Sequence, residues 1–307
     1  MPLNTSGTYL PRIQTPAFWP ADEAEYGAIL SRCERARPEV IGHSAGGREL
    51  WGLLYDDQPG APLLGVVGGM HGHEAQGPAA CLNLINILET GVDLRGQRSS
   101  AIQEANFAIV PLLNPDARAR MPNSFVGLSV KDILNYDSGL LSEGQRKEEA
   151  GDMDPEEALI LGGLYNDAGV DLIRYPGLDE GAPPELRAVM GFISRCRPAA
   201  CLELHAHAAP PQFYCPLAPL PAAVQTRQIE VTRAVIAAGN QAGYDFAANT
   251  GEVAGLTTAL YHGVGGAVPL LFESPQGVLD AGPRWDHARI VEVNLFVIGE
   301  LARLLGA

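Results

Sequence analysis

Two residues that can bind a divalent cation directly follow an apolar run in this chain. His71 and Glu74 lie three residues apart at the end of the run 62–70. A neutral imidazole and a carboxylate are suitable zinc ligands, and a catalytic zinc site has three protein ligands with one position left open for water. Because this spacing is also frequent by chance, the pair needs a third ligand from elsewhere in the chain.

Two later apolar runs end in residues of the same kinds. The run 199–204 is followed by His205, and the run 268–272 is followed by Glu273. If these runs are neighbouring parallel strands, their carboxyl ends meet at one edge of a sheet, where α/β proteins usually place their sites. His205 would then complete the metal site, and Glu273 would supply a carboxylate within reach of a water on the metal.

The periodicity of apolar residues predicts the elements that position these side chains. Strand patterns cover 40–43 and 50–55 as a hairpin, 62–70, 107–113, 199–204 and 267–272; helical patterns cover 22–37, 79–89, 184–196, 221–242 and 283–305. This alternation predicts a single α/β domain over residues 1–307, with a mixed, largely parallel twisted sheet of about eight strands flanked by helices. Residues 118–164 have weak periodicity and dense charge, which predicts a surface excursion.

Charge and composition limit the classes of partner. The chain has 21 basic and 36 acidic residues and a formal net charge of −15, so its average field repels nucleic acid and anionic membrane surfaces. The sequence has neither a signal-like start nor a transmembrane-length apolar stretch, which predicts a cytoplasmic protein. Five cysteines without a CxxC pair fit reduced thiols. Oligomeric state is not predicted.

Six short segments follow one another in a specific order. They are Ile41-Gly42-His43-Ser44-Ala45-Gly46-Gly47-Arg48, Gly68-Gly69-Met70-His71-Gly72-His73-Glu74, Asn114-Pro115-Asp116, Gly169-Val170-Asp171-Leu172-Ile173-Arg174, Leu202-Glu203-Leu204-His205 and Phe272-Glu273. Together they resemble the zinc carboxypeptidase family, the carboxypeptidase A-like metallopeptidases, from about residue 22 to the end of the chain. The ligand pattern His-x-x-Glu with a distant His is a known catalytic zinc site.

The resemblance implies roles for the residues at these positions. His71, Glu74 and His205 would bind one zinc ion, and Glu273 would be the general base that deprotonates the attacking water. Asp171 would hydrogen-bond the first histidine ligand, which fixes the tautomer of that ring and raises its basicity.

The resemblance also implies residues that bind substrate. Arg174 takes the place of the arginine that holds the substrate's terminal carboxylate, a task suited to a planar bidentate donor. The family's substrate-capping tyrosine has no clear counterpart in residues 250–261; Tyr261 aligns with a tyrosine further along that segment and is a candidate substrate contact. His73 would face the substrate. His207 is kept as a reserve metal ligand. Thr257 lies near the floor of the family's specificity pocket, and since no carboxylate adjoins it in sequence, a preference for basic terminal residues is not predicted.

Two polar residues of the family pattern are replaced in this chain. Ile173 occupies the place of an asparagine that precedes the carboxylate-binding arginine. Leu164 takes the place of the arginine that polarises the scissile carbonyl, and Arg118, or alternatively Arg120, could substitute for it.

The sequence therefore predicts a zinc-dependent hydrolase that cleaves an amide or peptide bond next to a carboxylate-bearing residue, a metallocarboxypeptidase. One alternative is an N-acyl amino acid deacylase of the related aspartoacylase and succinylglutamate desuccinylase branch, whose His-Gly-x-Glu motif is similar. That branch follows the catalytic glutamate with a β domain, whereas residues 274–307 have the pattern of a loop and a helix. A second alternative, suggested by Leu164 and Ile173, is a catalytically silent protein that retains zinc.

Overall fold

A mixed sheet with helices on both faces forms the centre of the fold. The computed structural model describes residues 13–20, 23–141, 152–207, 210–279 and 285–306. In these ranges the strands are β1 (Glu39–His43), β2 (Glu49–Tyr55), β3 (Leu63–Gly68), β4 (Asn106–Val110), β5 (Leu140–Leu141), β6 (Ala158–Ile160), β7 (Ala200–His207), β8 (Gln212–Tyr214), β9 (Leu217–Ala218), β10 (Val253–Ala254) and β11 (Val268–Pro275). The helices are α1 (Glu23–Leu30), α2 (Gln76–Thr90), α3 (Ser100–Gln103), α4 (Pro115–Arg120), α5 (Val130–Asp137), α6 (Pro184–Cys196), α7 (Ala222–Gln241), α8 (Leu260–Gly265) and α9 (His287–Gly306), with 3₁₀ turns at Leu172–Arg174 and Thr257–Ala259.

The predicted hairpin is confirmed in the pairing of β1 with β2. The two strands are antiparallel, with His43 opposite Glu49. The Gly47 amide donates to the Ser44 carbonyl at 2.9 Å and closes the turn. Gly47 has a φ of +82°, a left-handed conformation that glycine adopts without steric cost.

The first helix is shorter than its apolar pattern predicts. After α1 ends, the amides of Glu34, Arg35 and Ala36 donate to the carboxylate of Glu89 at 2.9, 3.1 and 3.3 Å. A helix would direct these amides to carbonyls four residues back in the chain. The distant carboxylate therefore replaces the helical bonds and ends the helix early.

The main sheet has the strand order β1-β2-β4-β3-β7-β11-β8. The four central strands, β4, β3, β7 and β11, are parallel to one another. The outer pairings, β1 with β2, β2 with β4 and β8 with β11, are antiparallel. The predicted α/β class with a mixed sheet is confirmed. The sheet has seven strands instead of about eight, because the short strands β9 and β10 pair with each other, as do β5 and β6.

Helices cover both faces of this sheet and bury two apolar cores. Helices α2, α7 and α9 contact one face, and α6 and α8 contact the other. Side chains alternate between faces along a strand, so on β7 Leu202 and Leu204 enter the first core and Cys201 enters the second. Glu203 and His205 share the face of Cys201. None of the described helices is long and apolar enough to cross a membrane.

The strand order reverses at the boundary between β3 and β7. From β3 the chain passes to β4 on one side, and from β4 it crosses back to β7 on the other side. Connections that leave adjacent strands in opposite directions open a crevice beyond their carboxyl ends. This crevice lies next to the two strand ends that carry the predicted histidine ligands.

Part of the segment predicted as a surface excursion covers the crevice. Residues 142–151 lie outside the described residues, but Val130, Leu134 and Asp137 of α5, together with Leu164, line the cavity above the strand ends. This part of the excursion therefore forms a wall of the candidate site, a role that the sequence did not indicate.

Candidate active site

A tight corner between β3 and α2 positions His71 and Glu74. A Cβ on Gly68 would lie 2.9 Å from the carbonyl carbon of Gly77, so the strand end and the helix start are in close contact. Gly72 packs against the backbone of Ala117 in α4, where a Cβ has no room. The corner therefore has little conformational freedom, and both candidate ligands turn into the crevice.

The three predicted metal ligands meet in the crevice. His71 Nδ1 is 2.8 Å from Glu74 Oε1, and His205 Nδ1 is 3.1 Å from Glu74 Oε2. One donor atom from each residue lies within 4.8 Å of the others, and all three side chains are buried. Two imidazoles thus present the same nitrogen, Nδ1, to the two oxygens of one carboxylate.

The pKa shifts of the three side chains indicate the sign of charge that the cluster favours. Burial lowers the pKa of His205, but the charge of Glu74 and the nearby Glu203 carboxylate outweigh burial and raise it to about 10. The pKa of His71 is likewise held well above its ordinary value by Glu74 and Asp171 despite burial. Burial would raise the pKa of Glu74, but the two imidazoles hold it well below its ordinary range. The cluster therefore favours bound positive charge.

The donor set fits a zinc ion. Two imidazole nitrogens and one carboxylate are among the ligand sets of catalytic zinc, and metal–ligand bonds of about 2.0–2.2 Å are compatible with donor atoms this close together. A divalent cation would take the place of the two protons that the metal-free cluster attracts.

A further carboxylate lies behind each imidazole. Asp171 Oδ1 is 3.8 Å from His71 Nε2, and Glu203 Oε2 is 3.7 Å from His205 Nε2. Both Nε2 atoms are buried and make no hydrogen bond to any described residue. Asp171 is thus next to the ring of His71, the histidine that the sequence predicted as its partner.

Glu273 lies beside the cluster on β11. It is paired with His205 in the parallel β7–β11 ladder, so both residues lie at the carboxyl edge of the sheet. Glu273 Oε2 is buried and has no hydrogen-bond partner among the described residues. Burial and the charge of Glu74 raise the pKa of Glu273 to about 7, against the opposing effect of the imidazoles. A carboxylate that exchanges protons near neutral pH is suited to general base catalysis.

The cluster opens into a cavity of about 340 Å³ whose lining combines ionisable residues with apolar walls. The lining residues are His71, His73, Glu74, Val130, Leu134, Asp137, Leu164, Ile173, Arg174, His205, Ala206, His207, Tyr214, Leu256, Leu271, Glu273 and Gln276. A cavity of this size admits the end of a peptide or a small acylated amino acid.

Arg174 is exposed in this cavity at the end of a 3₁₀ turn. It forms no ion pair with any residue in the described ranges, so its guanidinium can receive a carboxylate in bidentate geometry. Ile173 also lines the cavity and is largely buried. The wall beside the guanidinium is therefore apolar.

Arg118, predicted to polarise the scissile carbonyl, does not line the cavity. Its buried guanidinium donates to the carbonyls of Gly72 at 2.6 Å, Met121 at 2.8 Å and Pro122. These bonds hold α4 against the β3–α2 corner. The prediction is corrected to a structural role, because the guanidinium is directed at backbone oxygens instead of the cavity.

Tyr261 and Arg120 do not line the cavity either. Tyr261 is fully buried, and its hydroxyl donates to Glu203 Oε1 at 3.1 Å, so the predicted substrate contact is corrected to a contact within the core. Arg120, the alternative to Arg118, pairs with Asp167.

His73 lines the cavity, as expected for a residue that faces the substrate. Its ring stacks on His71 with centroids 5.7 Å apart, and its Nε2 is 3.6 Å from Asp137 Oδ1. Burial lowers the pKa of His73, so the ring is neutral at neutral pH. His207, the reserve ligand, lies outside the ligand cluster with its Nε2 at 3.0 Å from the Pro210 carbonyl oxygen.

Sequence reasoning missed two acidic residues near the site. Asp137 lines the cavity but comes from a charge-rich segment in which no pattern distinguishes it. Glu203 is fully buried and accepts a hydrogen bond from Thr258. It thereby brings a carboxylate next to Thr257, where the local sequence indicated none. Glu203 was detectable, because a carboxylate within a buried apolar strand requires partners.

Comparison with known proteins agrees with the class that the fold and cluster indicate, an α/β protein with a candidate metal site. A sequence profile described as zinc carboxypeptidase matches residues 29–209, more than half of the chain. The chain therefore belongs to the zinc carboxypeptidase family. The matched range contains the three candidate ligands, and Glu273 lies beyond it.

Two curated relatives match a shorter segment. The carboxypeptidase N catalytic chain of Homo sapiens is 39% identical over 93 residues, which cover 27% of this chain and 20% of that protein. The same protein of Rattus norvegicus is 37% identical over 94 residues, which cover 27% of this chain and 21% of that protein. The match spans about a fifth of the length of each relative.

Solved structures share the fold over almost the whole chain. A metallo-carboxypeptidase from Burkholderia cenocepacia has a TM-score of 0.62 at 19% identity, covering 94% of this chain and 69% of that one. The carboxypeptidase A of Helicoverpa armigera has a TM-score of 0.61 at 13% identity, covering 99% and 78%. A metallo-carboxypeptidase from Pseudomonas aeruginosa, in complex with (2-guanidinoethylmercapto)succinic acid, has a TM-score of 0.62 at 17% identity, covering 93% and 69%.

Proposed function

We propose that this protein is a zinc-dependent carboxypeptidase that hydrolyses the peptide bond next to a residue with a free carboxylate. The observation that carries the proposal is the convergence of His71, Glu74 and His205 at one point with Glu273 beside them on the next strand. Membership of the zinc carboxypeptidase family supports it.

One zinc ion is the proposed cofactor. His71 Nδ1, His205 Nδ1 and the Glu74 carboxylate would hold it. When bound, zinc polarises the carbonyl of the substrate and lowers the pKa of a water molecule.

Arg174 would anchor the substrate's carboxylate. Its guanidinium lies in the same cavity as the ligand cluster and has no ionic partner among the described residues. The ligand of the Pseudomonas aeruginosa neighbour is a succinic acid and so contains carboxyl groups. A carboxylate held by Arg174 would orient the rest of the substrate towards Glu273.

Glu273 would carry the proton through the reaction. Its buried, unpaired Oε2 can accept a proton from the attacking water and later donate it to the leaving amine. In the metal-free protein the pKa of Glu273 is raised to about 7, so this carboxyl exchanges its proton near neutral pH.

The decisive experiment compares wild-type protein with Glu273→Gln. Wild type is expected to bind one zinc per chain by metal analysis and to release the terminal residue from members of a C-terminal dipeptide library. Glu273→Gln should keep its zinc and lose about 10²–10⁴-fold in kcat, because general base catalysis typically contributes that much.

The same assay separates the alternatives. Hydrolysis of N-acyl amino acids without hydrolysis of peptides would favour a deacylase. Stoichiometric zinc without turnover of either panel would contradict an enzymatic function, and a Glu273→Gln variant with undiminished kcat would contradict the assigned base.

A further inference from the structure

Glu203 is a carboxylate in the interior of the protein, two residues before His205 on β7. It has no exposed surface, and its neighbours on the strand are apolar. Residues two apart on a strand point to the same face, so Glu203 and His205 project to the same side of the sheet. A buried carboxylate is costly unless partners compensate for its lost hydration.

Hydrogen bonds hold the carboxylate in a defined place. The Thr258 hydroxyl donates to Glu203 Oε2, and the Tyr261 hydroxyl donates to Oε1 at 3.1 Å. These donors come from the 3₁₀ turn Thr257–Ala259 and from α8, which pack against β11. Two elements outside β7 therefore fix the position of the carboxylate, one at each oxygen.

The fixed oxygen faces the ring of a candidate metal ligand. Glu203 Oε2 is 3.7 Å from His205 Nε2, while Nδ1 of the same ring faces Glu74 at 3.1 Å. That Nε2 is buried and has no hydrogen-bond partner in the described structure. The arrangement repeats the one at His71, where Asp171 lies 3.8 Å from Nε2.

We propose that Glu203 is a positioning residue for the metal site and acts through His205. The carboxylate accepts the Nε2 proton of the ring, which keeps Nδ1 free of a proton and directed at the metal and makes it more basic. This role rests on the zinc site of the proposed function. Carboxylates that orient a histidine ligand in this way typically contribute 10- to 100-fold to metal affinity.

The cavity argues against direct contact between Glu203 and a substrate. Glu203 is not among the lining residues, whereas Leu256 and Leu271 are, and Leu271 is its partner in the β7–β11 ladder. Glu203 therefore does not line the substrate cavity, whereas its Oε2 lies 3.7 Å from His205 Nε2.

Zinc affinity of the complete protein tests the proposal, measured by competition with a chromophoric chelator. Glu203→Gln should bind zinc 10- to 100-fold more weakly than wild type, and Asp171→Asn should show a loss of similar size. Glu185→Gln is the matched control, since Glu185 is another fully buried glutamate that belongs neither to the ligand cluster nor to the cavity lining. Its zinc affinity should stay within about twofold of wild type.

A spectroscopic measurement distinguishes orientation of His205 by Glu203 from a contribution of Glu203 to the stability of the core. The visible absorption bands of the cobalt-substituted protein should shift in Glu203→Gln and stay unchanged in Glu185→Gln. Wild-type zinc affinity and an unchanged cobalt spectrum in Glu203→Gln would overturn the proposal. So would a changed preference for the terminal residue at unchanged zinc affinity, which would place the carboxylate at the substrate.

A measurement on the wild type covers the case in which Glu203→Gln does not fold. In zinc-loaded protein labelled with ¹⁵N-histidine, the Nε2 proton of His205 should exchange slowly and show the downfield shift of a proton donated to a carboxylate. A rapidly exchanging Nε2 proton without that shift would overturn the proposal. Wild-type protein that binds no zinc would contradict the proposed function and this role together. If wild-type protein binds zinc and Glu203→Gln binds it equally well, only the positioning role of Glu203 is contradicted.

Discussion

Arg174 and Arg118 show how differently two arginines near one site can be used. Arg174 is exposed in the cavity, whereas Arg118 is buried and bound to backbone carbonyls. The first can exchange water for a substrate carboxylate at little cost. The second cannot leave its place without exposing unpaired carbonyl groups.

We expect Arg174→Met to impair substrate binding and to leave the fold intact. Loss of a hydrogen bond to a charged group costs about 1.5–3 kcal/mol, so KM for a peptide substrate should rise roughly 10- to 100-fold. Steady-state kinetics and thermal unfolding would be measured on the same preparation. An unchanged KM would remove this residue from the substrate site.

The pH dependence of stability gives a test at Glu185. Burial is the main cause that raises the pKa of this carboxyl above its ordinary value of 4.5. Since the unfolded chain loses the proton at lower pH than the folded protein, the free energy of unfolding should fall as pH rises from about 4.5 through the raised pKa. Glu185→Gln does not ionise and should lack this loss.

The measurement compares urea unfolding of wild type and Glu185→Gln across this pH range. The stability of the variant relative to wild type should increase as pH rises. A difference that is constant with pH would contradict the assigned shift.

Residue identities at the candidate metal site could be predicted from sequence because they follow strand ends. His71, Glu74 and His205 converge in the structure, and so does Glu273. The positions of Arg118 and Tyr261 could not be predicted, since the direction of a side chain depends on which backbone oxygen or carboxylate lies nearby in space. Alignment with a family residue does not specify that neighbour.

At the scale of elements, the β3–α2 corner is the part of the fold on which the site depends most. Its glycines allow close backbone contact, and Arg118 connects it to α4. The corner carries two of the three candidate ligands. Packing of α4 is therefore expected to influence metal binding without any contact to substrate.

Arg118→Met tests this structural role. The change leaves three buried carbonyls without their donor, so the free energy of unfolding should fall by roughly 2–4 kcal/mol. Zinc affinity should weaken with it, whereas KM should stay near the wild-type value. Chemical denaturation, chelator competition and kinetics would be measured for Arg118→Met and for Arg174→Met. The second variant is expected to keep its stability and to show a raised KM. Full stability combined with a large loss of kcat would restore the catalytic assignment.

Element types were predictable and some ends were not. Helices at 184–196 and 221–242 agree closely with α6 and α7, because their apolar periodicity is regular and proline marks the start of each. Helix α1 ends early because of the Glu89 carboxylate, which lies far away in sequence. The strand count differed because short strands such as Leu217–Ala218 pair outside the main sheet.

At the scale of the whole molecule, a bound metal would connect parts of the chain that are distant in sequence. The candidate ligands come from the β3–α2 corner and from β7, and Glu273 lies on β11. A ligand that binds only the folded state stabilises it according to its concentration relative to Kd. Metal loading and folding are therefore expected to be coupled.

Removal of zinc should lower the thermal stability of the protein. At free zinc 1,000 times above Kd, the stabilisation is about 4 kcal/mol, so chelation should reduce Tm by several degrees and zinc should restore it. The test is a thermal scan with and without chelator. His71→Ala should show a lower Tm that does not respond to zinc, and a wild-type Tm that is also insensitive to the metal would contradict coupling.

The α/β architecture was predictable because alternating strand and helix patterns favour few topologies. The contribution of α5 to the cavity was not, since charge density alone indicates a solvated surface. The cytoplasmic location remains a prediction from the sequence.

The β7–β11 ladder has a consequence for how this protein could change over time. His205 and Glu273 are directly paired on adjacent strands, so the spacing of strands in a sheet, about 4.8 Å, sets the distance between their backbones. The cavity walls at Val130, Leu134 and Leu164 come from segments outside that ladder. New selectivity can therefore evolve, or be engineered, by exchange of the surrounding loops while the reacting groups keep their alignment.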